Sequence, residues 1–176
     1  MPFSLMPHPD FPATACRSIT VDVAVEDGMI ALHYRLAGDI GALVIPPPAM
    51  PGRADGLWRS TCVELFVGGA GDGYTEFNFA PSSQWAAYRF DGYRAGMAAL
   101  ALEAPPVIRI ERDADMLTVA VTLHHAATPG APIGLSAVIE AADGTKSYWA
   151  LAHAPGPPDF HNRDCFIATL PAPECP

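Results

Sequence analysis

The chain has 176 residues, half of them hydrophobic and only 16% charged, with 19 prolines and 15 glycines. That length can bury a substantial core without disulfides or metals, and the composition is that of many short strands and turns, not of disorder. A net charge of −9 excludes nucleic-acid phosphates and anionic membranes as electrostatic partners, which leaves neutral, cationic or small polar ligands.

The N-terminal stretch MPFSLMPHPDFPATACR lacks a basic cluster followed by an uninterrupted apolar run, so a soluble, cytoplasmic protein is expected. A single domain over 1–176 is expected, with 1–16 an extended lead-in because Pro2, Pro7, Pro9 and Pro12 cannot donate to a sheet. Cys16, Cys62, Cys165 and Cys175 contain no close pair of the kind that holds zinc or does redox chemistry. Cys62 reads as a small core residue. Cys16 and Cys165 read as buried thiols, or as a disulfide if their strands are neighbours.

Ser18–Val25 alternates, Asp27-Gly28 is a hairpin signal, and Met29–Leu36 returns as the second strand. Ala42–Ile45 is a short third strand ended by three prolines. Residues 46–56 form a loop leading into Trp58, a usual place for binding residues, and an indole there serves equally to contact a ligand or to cover a sheet edge. Three strand-like runs follow between 57 and 94. In the first, Val63, Leu65 and Val67 oppose Cys62, Glu64 and Phe66; in the second, Phe77 and Phe79 oppose Tyr74, Glu76 and Asn78. In the third, Tyr88 and Phe90 oppose Trp85 and Arg89. Paired as a meander, the runs are expected to stack their apolar sets into a core and to collect Glu64, Glu76, Asn78 and Arg89 on the other face, flanked by Trp58, Trp85, Tyr74 and Tyr93. Gly68–Gly73 reads as a hairpin loop, since no helix start or lysine follows to cradle a phosphate.

Residues 95–106 fit a helical turn or an edge segment. Val107–Glu111 and Leu117–Leu123 alternate around a turn at 113–115, and His124-His125 put two imidazoles on opposite sides of a strand end, which suits a surface role better than a shared metal. Ile133–Ala141 and Ser147–His153 flank the turn Asp143-Gly144, with Tyr148 and Trp149 on opposite faces. The ending HAPGPPDFHNRDCFIATL gathers His153, Asp159, His161, Arg163 and Asp164 around a proline-rich turn before a strand at Cys165–Leu170; His153 and His161 are its binding candidates. About ten short strands without a long amphipathic helix predict an all-β, two-sheet antiparallel sandwich.

The blocks LWRSTCVELFVGG and YTEFNFAPSSQWAAYRF resemble the DOMON-like superfamily, specifically family 9 carbohydrate-binding modules, and PDFHNRDCF is similar to the ending of a bacterial subgroup of undefined function. The resemblance is best over 55–95 and looser over 145–170. It implies a sandwich of the jelly-roll or immunoglobulin-like kind whose concave face binds a sugar between aromatic side chains. Trp58 matches the first of these, and Trp149 and Phe160 are candidates for the second. A sugar ring stacks its CH face on an aromatic ring, while its hydroxyls need partners such as Glu64, Glu76, Asn78, Arg89, His153 or His161.

The expected function is therefore a non-catalytic binding domain for a carbohydrate or related polyhydroxylated molecule. Alternatives are a protein-interaction module or the haem-binding branch of the superfamily, which uses Met and His ligands. Met29, Met50, Met97 and Met116 with His33, His153 and His161 are present, but none stands in a haem-site context, and no diagnostic calcium loop appears, so no cofactor is expected. Glu64 and Glu76 are also the type of pair a glycoside hydrolase needs. Cross-strand carboxylates are more often solvated or paired with Arg, and no nucleophile motif or metal-ligand spacing accompanies them.

Overall fold

A computed structural model describes residues 2–126 and 128–173. Among these residues, thirteen strands and three one-turn 3-10 helices form an all-β fold. The strands are β1 Phe3–Pro7, β2 Cys16–Glu26, β3 Met29–Gly38, β4 Gly52–Arg53, β5 Cys62–Gly68, β6 Tyr74–Phe79, β7 Gln84–Phe90, β8 Ala98–Ala99, β9 Val107–Arg112, β10 Met116–His124, β11 Pro132–Glu140, β12 Lys146–Ala150 and β13 Ala168–Thr169.

Neighbouring strands run β4-β7-β6-β5-β11-β12-β1-β2-β3-β10-β9, with β8 on β7 and β13 on β11. The two halves are linked at β1. β1 pairs with β2 through Phe3, Ser4 and Leu5 and with β12 through Met6 and Pro7, so one continuous path curls around the core. The lead-in therefore contains a strand that joins the two halves. Its prolines are tolerated because Pro2 precedes the strand and Pro7 ends it.

Alternation explains how the halves meet. On one half Ile19, Val21, Leu32, Tyr34, Leu36, Val119 and Val121 point inward, and on the other Val63, Leu65, Val67, Phe77, Phe79 and Leu135 meet them in one cluster. Tyr34 hydroxyl donates to the Glu64 backbone oxygen at 2.6 Å, satisfying a buried phenol across the core. β5 is buried at every position, because a second apolar cluster of Phe66, Tyr74, Ala86, Tyr88, Phe90, Cys165 and Phe166 covers its other face.

Several boundaries differ from expectation. The third run forms a 3-10 turn, Ile40–Ala42, with Leu43 in an isolated bridge to Ala141. Part of 95–106 is an edge segment, with β8 pairing to β7, and Cys165–Leu170 reduces to a 3-10 turn, Arg163–Cys165, followed by β13. Cys16, Cys62 and Cys165 are free and buried, so the Cys16–Cys165 pairing does not form; Cys175 lies outside the described residues. No helix among the described residues is long and apolar enough to cross a membrane.

Candidate ligand-binding site

The second face of β12-β11-β5-β6-β7 is the floor of a recess. Register builds it row by row: Tyr148 lies across from Val138, Ser136 from Glu64, Glu64 from Asn78, Phe66 from Glu76, and Glu76 from Tyr88. Because parity repeats every second residue, Tyr148, Val138, Glu64, Phe66, Glu76, Tyr88 and Phe90 all emerge on this one side. Loops complete an open recess of about 570 Å³ with Phe11, Trp58, Arg94, Met97, Pro158, Phe160 and His161.

Local structure aims the rim residues. Trp58 sits in the 3-10 turn Leu57–Arg59, entered through Gly56 in the left-handed region (φ 74°), and is 52% exposed with Arg59 over its ring. The opposite wall, 154–162, is pinned to the sheet. Arg163 donates to the Gly73 carbonyl at 3.0 Å, and Asn162 accepts from the Asp164 amide at 3.0 Å to cap the turn. Asp159 ties this wall to the loop after β7, accepting from Tyr93 hydroxyl at 2.7 Å and Arg94 Nη2 at 2.8 Å.

Two carboxyls lie on the floor. Glu64 Oε2 accepts from Ser136 Oγ at 2.9 Å, and Glu76 Oε1 accepts from Asn78 Nδ2 at 2.8 Å. Burial first, and the Glu76 charge second, push Glu64 up to about 8 against the hydrogen bond from Ser136. Glu76 is also raised by burial, opposed by its Asn78 bond and by Arg94. His161 is lowered to about 4, chiefly by burial and then by Arg94, so its ring is neutral at pH 7. Tyr74 hydroxyl lies 2.8 Å from His161 Nδ1 and accepts from the Arg94 amide at 3.2 Å. The other ring nitrogen, Nε2, lies 3.8 Å from Glu76 Oε2, so each nitrogen of His161 faces a protein group.

The structure sorts the sequence candidates. Trp58, Glu64, Glu76, His161 and Phe160 share the recess. Asn78 is fully buried on the same face, holding Glu76, with its Oδ1 unpartnered among the described residues. Arg89 and Trp85 are corrections. They lie on the opposite face of β7, where Trp85 joins the core and Arg89 leaves the strand for solvent and Asp91 at 3.2 Å, while Tyr88 and Phe90 turn to the recess. Both parities of this strand are rich in apolar residues, so composition favoured the wrong set. Trp149 is likewise in the core, its indole donating to Ser147 Oγ at 3.0 Å, and Tyr148 takes the recess position. His153 stands outside the recess, donating through Nε2 to the Met6 carbonyl at 2.8 Å and fastening the C-terminal wall to β1.

Sequence reasoning missed Phe11, Arg94, Val138, Tyr148 and Pro158, and named Met97 only as a haem candidate. Val138 and Tyr148 were within reach of parity once β11 was paired with β5; the loop residues carried no periodic signal. Of the haem candidates, Met29, His33 and Met116 belong to β3 and β10, and Met50 is an exposed loop residue. Met97 and His161 do line the recess, but both His161 nitrogens face protein groups, Tyr74 and Glu76, which does not fit an axial ligand.

Fold and site together define an all-β protein with an open, aromatic-walled recess over two buried carboxyls. No known family model matches the chain. No curated protein sequence matches it either. Its fold is similar to that of a Bacteroides uniformis protein described as a "putative carbohydrate-binding protein", with a TM-score of 0.67 and 15% identity over 94% of this chain and 82% of the other. At that identity the likeness is one of fold.

Proposed function

We propose that this chain is a non-catalytic binding domain for a carbohydrate or related polyhydroxylated small molecule. We place it, by its sequence blocks, with family 9 carbohydrate-binding modules in the DOMON-like superfamily, its sheet halves acting as the two layers of a sandwich. The observation that carries the reading is the recess itself: Trp58 and Phe160 rise from different loops above a floor bearing Glu64 and Glu76. Aromatic walls suit the CH faces of a sugar, and buried acceptors and donors suit its hydroxyls. The carbohydrate-binding description of the fold neighbour supports the same ligand class. Glu64 and Glu76 are diagonal neighbours on adjacent strands, Glu64 opposite Asn78 and Glu76 opposite Phe66, and each is held by a neutral donor of the sheet, Ser136 and Asn78 respectively.

The test is thermal denaturation against a panel of mono- and oligosaccharides. A binding sugar at about 100 times its Kd stabilises by about 2.7 kcal/mol, which for a chain of this length raises the midpoint by roughly 5–10 °C. Trp58→Ala is expected to abolish that shift while changing the unliganded midpoint little, since the indole is half exposed. A panel without any shift, together with a protein recovered by pull-down, would replace this reading with an interaction module.

A further inference from the structure

The charges around the recess do not balance. Arg94 is its one cationic side chain at neutral pH among the lining residues, and its guanidinium is bonded to Asp159 at 2.8 Å. Arg53, beside Tyr88, pairs with Asp55 at 3.4 Å and donates to the Ala87 carbonyl at 2.9 Å, and Arg59 lies 5.5 Å from the Trp58 ring centre. His161 is neutral and engaged with Tyr74. Glu64 is bonded by a serine hydroxyl and Glu76 by an amide, so neither carboxyl has a bonded cation among the described residues. Asn78, opposite Glu64 and two residues from Glu76 on β6, is fully buried beneath them with its Oδ1 unpartnered among the described residues. Phe66, Tyr88 and Phe90 share the floor with these acceptors and Phe160 stands on the rim, so the recess is rich in aromatic rings, the side chains whose π faces attract cations.

Resting on the sugar-binding reading, we infer that the ligand carries a protonated amine, as an amino sugar does, and that its ammonium sits against Glu64 and Glu76 with the ring on the aromatic walls. An ammonium supplies three donors, enough to meet both carboxyls of the floor. It also takes the place of the proton that Glu64, raised to about 8, holds at neutral pH, so binding releases a proton. Groups facing the pair are Tyr74, Tyr88, Arg94 and His161 around Glu76, and Cys62, Asn78 and Ser136 around Glu64. With the arginine compensated and the histidine neutral, the carboxyls set the acid side of the pH dependence. Loss of the amine's own proton sets the alkaline side, so affinity passes through a maximum.

The experiment is isothermal titration of the full chain with methyl glycosides of glucose and galactose, each as the neutral sugar, the 2-amino sugar and the 2-acetamido sugar. Measurements at pH 6, 7 and 8 in two buffers of different protonation enthalpy report proton release. The expected result is an amino form that binds roughly tenfold or more tightly than its neutral and acetamido counterparts, the range of a charge-assisted hydrogen bond. Proton release should accompany it. In E64Q/E76Q, checked for native circular dichroism, the three forms should bind alike. Neutral sugars binding as tightly as amino sugars, or amino sugars binding at pH 6, where the amine is already protonated, without proton release, would overturn the inference and leave the sugar-binding reading in place. No binding by any of the set would overturn both.

Discussion

Replacing Glu64 by glutamine tests the chemistry of the floor directly. The carboxyl is 3% exposed and titrates at about 8 in place of 4.5, so the native protein keeps a proton that the unfolded chain releases. The native state binds more protons within that window, so stability falls as pH rises from about 4.5 to about 8 and levels off beyond it. At about 1.4 kcal/mol per pH unit, the full interval is worth about 5 kcal/mol. Glutamine matches the protonated acid in shape and can accept the Ser136 bond, but it has no proton to lose. Wild type and Glu64→Gln should therefore be about equally stable near pH 5, and the variant should lead by about 3–5 kcal/mol at pH 9. Urea denaturation at pH 5, 7 and 9 measures this. The difference between the proteins is diagnostic, because His161, held neutral by burial, contributes in the opposite direction between about 4 and 6.5 in both. A difference that stays constant within about 1 kcal/mol across the range would show that Glu64 is ionised and solvated, and would refute the buried-carboxyl account.

Phe77 is fully buried where the two halves meet, and Phe77→Ala is expected to cost about 3–5 kcal/mol by calorimetry at pH 6, against a near-zero effect if the halves were not packed together. At Gly134 an added Cβ would lie 2.8 Å from Phe166 Cδ1 and 3.4 Å from Phe66 Cβ. Gly134→Ala should thus destabilise by about 1–3 kcal/mol, and Phe166→Leu in the same chain should recover part of the loss.

Much of the architecture was legible because burial in strands leaves a period of two. Val63, Leu65 and Val67 against Glu64 and Phe66, and Phe77 and Phe79 against Glu76 and Asn78, each put one set into the large core and the other onto the recess face. The same rule failed at β7. Trp85 and Ala87 form one apolar set and Tyr88 and Phe90 the other, and with apolar contacts on both faces alternation names two sides without saying which is inner. Arg89 followed the wrong assignment for that reason. The N-terminal prolines misled in a different way, since a strand of five residues that changes partner midway needs few donors on either side.

The order of residues by itself determined an all-β chain, the pairing of the central meander, and the placing of Glu64, Glu76 and Asn78 on one face. These depend on neighbours two positions apart or on adjacent strands, where geometry is local. Tertiary structure alone decided that Phe11, Arg94, Phe160 and His161 close over that face, and that Trp149 and His153 serve the core and the strand joint. Those placements depend on how far the sheet curls and on where Asp159 and Arg163 pin the C-terminal wall, contacts spanning more than sixty residues of chain that no local pattern encodes.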